Sequence, residues 1–122
     1  MESIEDTGLP RTILSRAWSL WGWEIYAQGQ YERARQAFEA AIQLDAQNFR
    51  AYYGLGRYFL RIGQMEEAEK AFRRCLVLNP KASLGAEGMM LLERQRRRWL
   101  SAIKWFIRAT IKALRHSDNA FF

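Results

Sequence analysis

Residues 51–82 read AYYGLGRYFLRIGQMEEAEKAFRRCLVLNPKA, and 34 positions earlier residues 17–48 read AWSLWGWEIYAQGQYERARQAFEAAIQLDAQN. At that offset Trp18 pairs with Tyr52, Trp21 with Leu55, Gly22 with Gly56, Gly29 with Gly63, Ala34 with Ala68, Phe38 with Phe72 and Leu44 with Leu78. A repeat of this length is one supersecondary unit that buries its apolar face only by stacking on a neighbour. Within a copy, apolar residues return every three or four positions: Trp18, Trp21 and Ile25, then Tyr31, Ala34, Phe38, Ala41 and Ile42. That spacing is one face of a helix, so each copy is a pair of short helices. Gly29 and Gly63 fall between the two runs, where a chain leaving a helix adopts positive φ and glycine has no Cβ to oppose it. Gly22 and Gly56 fall inside helices at a cost of up to ~1 kcal/mol each. The cost is reasonable where a small residue lets two helices approach closely.

These positions resemble the tetratricopeptide repeat, in which an aromatic, a Leu-Gly pair, a second aromatic and then Gly, Ala, Phe, Ala and Pro recur at fixed offsets. Three residues depart from that pattern: Ala46 stands where the second copy has Pro80, Cys75 replaces the small residue held by Ala41, and Trp21 takes the place of Leu. The resemblance implies an all-α fold, a helical-hairpin α-solenoid with a right-handed superhelix. It also implies a non-catalytic adaptor, often serving the assembly, targeting or biogenesis of larger complexes. The expected organisation is a flexible arm (1–11), a first repeat (12–48), a second repeat (49–82), a capping helix with a basic linker (83–98), a basic amphipathic helix (99–115) and a tail (116–122). Asn79-Pro80 is expected to end the second repeat. Ser83 to about Glu93 takes the place of a third first helix, but Gly88 and Met90 stand where aromatic or Leu-Gly signals belong, so this stretch reads as a cap.

The 122 residues, 49% of them apolar and five of them Trp, leave room for one domain with a modest core. A single Cys allows no disulfide within the chain and suggests a reducing compartment. The opening MESIEDTG is acidic and polar, the reverse of a targeting peptide, and no run of apolar residues is long enough to span a bilayer. The expected location is cytoplasmic, with peripheral attachment to the cytoplasmic side of a membrane if the C-terminal segment docks there. The formal charge of +6 is uneven: residues 1–93 carry eleven Lys and Arg against twelve Asp and Glu, whereas residues 94–122 carry eight basic side chains against Asp118 alone. The basic character belongs to the C-terminal segment.

Catalytic chemistry is not expected. The only His is His116 and the only Cys, Cys75, falls where the repeat buries its residue. No metal ligand set, phosphate loop or nucleophile with its base can be assembled, so no cofactor or metal is expected. Glu66, Glu67 and Glu69 read as a solvated helix start, where the helix dipole favours anions.

In repeats of the resembled family the first helix of each pair lines the inner surface. Carried onto this sequence, the inward positions are Arg16, Ser19, Trp23 and Tyr26, then Arg50, Tyr53, Arg57, Leu60 and Arg61. Aromatic and Arg side chains bury large area with little rotamer loss and pair with carboxylates, so a protein or peptide partner with acidic and apolar residues is expected. The competing reading is that Trp23 and Tyr53 pack on the chain's own tail. A clamp for a partner's terminal carboxylate, which needs Asn and Lys at set inward positions, is argued against by Trp23 and Arg57.

The run RQRRR, with Arg96, Arg97 and Arg98, leads into WLSAIKWFIRATIKALR. On a helical projection Ser101, Lys104, Arg108, Lys112 and Arg115 fall within an arc of about 80 degrees. Trp99, Leu100, Ile103, Phe106, Ile107, Ile111 and Leu114 fill the rest, with Trp105 at the edge. Three readings compete: an interfacial helix on an anionic membrane, a packed helix burying its apolar face on the cap or on another copy, and an RNA- or ribosome-associated segment. The aromatics sit with the aliphatic side chains, away from the charges, which argues against a base-stacking platform and makes nucleic acid the least favoured partner. Self-association through the apolar arc is a further expectation.

Overall fold

The computed structural model describes residues 8–120, and the side chains of residues 8–116. Five helices follow in order: α1 (Arg11–Ala27), α2 (Tyr31–Leu44), α3 (Phe49–Arg61), α4 (Met65–Leu78) and α5 (Ser83–Ala120). Most of the expected arm lies outside the described residues; α1 starts at Arg11 with Pro10 as its N-cap.

The 34-residue period in sequence is a period in backbone geometry. Gly29 and Gly63 take φ of 82° and 80°. Gly29 N–H donates to Tyr26 O at 2.9 Å and Gly63 N–H to Leu60 O at 3.1 Å. These bonds satisfy carbonyls at the ends of α1 and α3 that the helices themselves leave open, and the chain turns back into α2 and α4. Near the start of α1, Ser15 Oγ donates to Ala41 O at 2.7 Å and Arg11 Nη2 to Gln43 O at 3.1 Å, both near the end of α2, so the pair is antiparallel.

Two aromatic rings organise the core. Phe38 of α2 and Phe72 of α4 are fully buried, each with a cluster of small and aliphatic neighbours: Ile25, Ala34, Ala37 and Leu55 around the first, and Leu60, Ala68 and Leu92 around the second. Burying each ring stabilises the fold by roughly 1.5–3 kcal/mol. Each ring is held between two glycines. A Cβ on Gly22 of α1 would lie 2.7 Å from Phe38 Cε1, and one on Gly54 of α3 would lie 2.5 Å from the same atom. Gly56 of α3 and Gly88 of α5 close on Phe72 in the same register. The ring from one pair therefore locks its own first helix and the first helix that follows. Gly88, which reads in sequence as a missing repeat signal, holds the position that Gly54 holds in α3.

Two expectations change. The segment from 83 to 120 is one helix of 38 residues, where a cap, a linker and a separate amphipathic helix are expected. The reason is local: no Gly or Pro follows Gly88 in α5, and RQRRR consists of good helix formers. Trp21, expected on the buried face, is 47% exposed. By contact the described residues up to Leu92 form one unit and those from Glu93 onward another. Among the described residues no helix is long and apolar enough to cross a membrane.

Candidate functional site

Asn48 fixes the entrance of α3 against α1. Its Oδ1 accepts from Ala51 N–H at 3.2 Å, capping α3, while its Nδ2 donates to Ser15 Oγ at 2.8 Å and Ser19 Oγ at 2.9 Å. Both serines are buried and both are bonded, as burial of a hydroxyl requires. This network sets the spacing of α1 and α3, and between them runs a cavity of about 590 Å³.

Five expected inward residues line it: Arg16, Ser19, Trp23, Arg50 and Tyr53. Leu20, Asn48, Phe49, Ala82, Ser83 and Leu84 complete the wall. A second cavity of about 320 Å³ shares Arg16, Asn48, Phe49 and Arg50 and adds Asp45 and Gln47. Arg16 and Arg50 are exposed, and neither makes an ion pair among the described residues, so two guanidinium groups border an aromatic and aliphatic surface. Ser19, although on the wall, is 4% exposed and spends its oxygen on Asn48, which makes it a positioning residue for the helices.

The aromatic side of the groove is built from packed rings. Trp23 lies 5.2 Å from Phe38, 5.5 Å from Tyr26 and 5.7 Å from Tyr53, centroid to centroid, and Tyr53 lies 5.8 Å from Phe72. Trp23 and Tyr53 are both half-buried. One part of each ring thus belongs to the core and one part faces the cavity. Such edge-on and tilted contacts hold the rings in place before any partner arrives, which lowers the ordering cost of binding.

The remaining four expected residues do not line the cavity. Leu60 is buried with Phe72 and Leu92, because its position on α3 points to the second core cluster; it is a core residue. Tyr26 stacks edge-on against Tyr31 at 4.9 Å. The Arg61 guanidinium sits 4.5 Å from the Tyr31 ring centroid, a cation–π contact between α3 and α2. Arg57 Nη1 donates to Tyr53 Oη at 3.2 Å. Burial works against the Arg57 charge, and the hydrogen bond to Tyr53 with the nearby tyrosine oxygens outweighs it, so the guanidinium stays above its ordinary pKa. Arg57 therefore steadies the Tyr53 ring. Sequence reasoning missed Leu20, Asn48, Phe49 and Leu84 on this wall; Leu84 lies 34 residues after Arg50, itself 34 after Arg16, so the same offset could have flagged it.

The second group of expected residues lies on α5. Arg97, Arg98, Trp99, Lys104, Trp105, Arg108, Lys112 and Arg115 are exposed, and Arg96 is half-buried with its Nη1 at 3.2 Å from Glu93 Oε1. The large apolar side chains are exposed as well, from Ile111 at 46% to Trp105 at 72%. Among the described residues no group of three or more His, Cys, Asp or Glu could hold a metal ion.

Residues 20–83, just over half of the chain, match the family model of the tetratricopeptide repeat. The chain is similar to anaphase-promoting complex subunit 3 of Schizosaccharomyces pombe, 34% identical over 68 residues, and to protein bimA of Emericella nidulans, 34% identical over 62 residues. These segments cover 56% and 51% of this chain but only 10% and 8% of those proteins, so the chain spans about a tenth of the length of the curated relatives it matches. The paired glycines about each phenylalanine, the turn glycines and the matched span agree: the chain belongs to the tetratricopeptide repeat family.

Proposed function

We propose that this chain is a non-catalytic adaptor that holds a protein or peptide segment between α1 and α3. The observation that carries the reading is the composition of the 590 Å³ cavity: Arg16 and Arg50 beside Trp23, Tyr53, Phe49, Leu20 and Leu84. A segment with apolar anchors flanked by carboxylates fits it, because aromatic walls reward burial and the guanidinium fork pairs a carboxylate in two bonds. That one relative is by its name a subunit of a multi-protein complex supports a role in assembly. The test is fluorescence anisotropy with labelled peptides that place Asp or Glu beside Leu and Phe. Arg50→Glu, an exposed change that leaves the core untouched, should weaken binding on the order of tenfold or more. Equal affinity for Arg50→Glu and the parent would remove the groove from the mechanism.

The adaptor reading has a second part, the placement of the protein at an anionic membrane surface from the cytoplasmic side. It is supported by the exposure of the apolar arc of α5 together with a row of cations free of acids. In an interfacial helix each such cation adds about 1 kcal/mol near anionic lipid. Cosedimentation with vesicles of phosphatidylcholine and phosphatidylserine tests this part. Binding should require phosphatidylserine, blue-shift the tryptophan emission, and fail for Lys104→Glu/Arg108→Glu/Lys112→Glu. A chain that ignores such vesicles and instead binds RNA with a steep salt dependence belongs to the ribonucleoprotein reading.

A further inference from the structure

The first helices of this chain dock on the preceding second helix through one repeated face. In α3 that face is Ala51, Gly54, Leu55 and Tyr58, all buried, and in α5 it is Gly85, Gly88, Met89 and Leu92, buried or half-buried. The equivalent face of α1, 34 residues earlier, is Ala17, Leu20, Trp21 and Glu24, and all four are exposed, Leu20 at 69% and Trp21 at 47%. The face also differs in shape. Where Gly54 and Gly88 make room for Phe38 and Phe72, α1 carries Leu20, so a second helix with phenylalanine at that register cannot close on it. Whatever covers α1 must bring a small residue opposite Leu20.

We propose that a second copy of this chain covers it, through an antiparallel pairing of the two α1 helices about a two-fold axis. A two-fold interface must be self-complementary. With the axis between residues 18 and 19, Leu20 of each copy meets Ala17 of the other, which supplies the required small residue. The same axis sets Arg16 opposite Trp21, a cation over an indole face, and brings Glu24 within side-chain reach of Arg16, so that in the dimer Arg50 is the guanidinium left to pair a carboxylate in the groove. Neither Arg16 nor Glu24 makes an ion pair among the described residues of its own chain, so the charges complement each other only across the axis. The face continues the docking surface that α3 and α5 use internally, with the large and small positions exchanged.

The experiment is sedimentation equilibrium of the full chain across a wide range of concentration, in detergent-free buffer without lipid. The parent should show a monomer–dimer equilibrium. Leu20→Glu should weaken it on the order of thirtyfold or more, the effect of losing a central anchor. Glu24→Arg should weaken it by placing like charges together, and Arg16→Glu/Glu24→Arg should restore it. These side chains are exposed, so circular dichroism and the melting temperature should match the parent. The proposal is overturned by a parent that stays monomeric throughout, or by a dimer that survives Leu20→Glu. It is overturned too if Ile107→Glu on α5 abolishes the dimer while Leu20→Glu leaves it intact.

Discussion

Phe72 of α4 rests against the bare Cα of Gly88 in α5, closer than any side chain at that position would permit. The contact repeats that of Phe38 with Gly54, and it joins the ten or so residues that open α5 to the second repeat at the register by which α3 joins the first. The cap is therefore a true continuation of the stacking rule, without the second helix that would complete a third unit. Met90 shows the difference: it stands where Gly22 and Gly56 receive a ring from their own second helix, and it is exposed.

Gly88→Ala should destabilise the fold although alanine is the better helix former. Overpacking costs about 1–3 kcal/mol and the propensity gain returns up to ~1 kcal/mol, leaving a net loss of up to about 2 kcal/mol in urea unfolding once the full gain is counted. Adding Phe72→Leu should reveal coupling, with the Gly88→Ala penalty smaller in that background. An equal penalty in both backgrounds would contradict the ring contact.

Asn48 has two separable roles. Asn48→Ala should lose the cap and both serine bonds, about 2 kcal/mol in all. Asn48→Asp keeps an acceptor for Ala51 N–H but has no N–H for Ser15 and Ser19. Its stability should fall below the parent's even though a carboxylate is favoured at the α3 N-terminus; a stability equal to or above the parent's would show that the two serine bonds contribute no more than the charge gains.

Cys75 is buried among apolar neighbours, and burial pushes its thiol up from the ordinary 9.0 to about 11. At neutral pH it is a protonated, shielded thiol, so alkylation by iodoacetamide should be slow in the folded chain and should accelerate in urea. Because the folded value lies above the unfolded one, the unfolded state loses its proton first. Stability should fall as pH rises from about 9 to about 11, and Cys75→Ala should lack that component.

Tyr58 Oη donates to Glu32 Oε2 at 2.6 Å, joining α3 to α2. The hydrogen bonds from Arg35 and then Tyr58 hold the Glu32 carboxyl below its ordinary value, and the bond to Glu32 holds the Tyr58 hydroxyl above its own. The Glu32 contribution is present above the unfolded carboxyl pKa and fades as pH falls through the lower folded value. The Tyr58 contribution is present below the ordinary 10.0 and fades as pH rises through the raised folded value. Melting curves of the parent and Tyr58→Phe should differ most near neutrality and converge at both extremes; a constant offset would mean the bond is not what separates them.

How much of this was legible in the chain can be judged from particular residues. The turn glycines Gly29 and Gly63 and the buried Phe38 and Phe72 follow from spacing, since a 3.6-residue period and a 34-residue offset are local properties; Trp23, Tyr53, Arg16 and Arg50 on the groove follow from the resemblance to the repeat family, whose inward positions they occupy. Leu60, two turns along the same helix from Tyr53, was misplaced, because whether a position at the edge of a helix face meets the groove or the core depends on the neighbouring helix. The serine pair on Asn48 carried no signal at all, as its partners lie about thirty residues away.

The sequence by itself determined the repeat, its two helices per unit, the places where they turn and the cationic, amphipathic character of the C-terminal segment. These are set by local backbone preference and by the period of apolar side chains. Only the tertiary structure decided that Gly88 seats Phe72, that α5 runs on unbroken, that Ser19 is locked by Asn48, and that Leu20 and Trp21 lie bare where α3 and α5 are covered. Each of those depends on which surfaces meet, and the meeting is decided by packing between helices far apart in the chain.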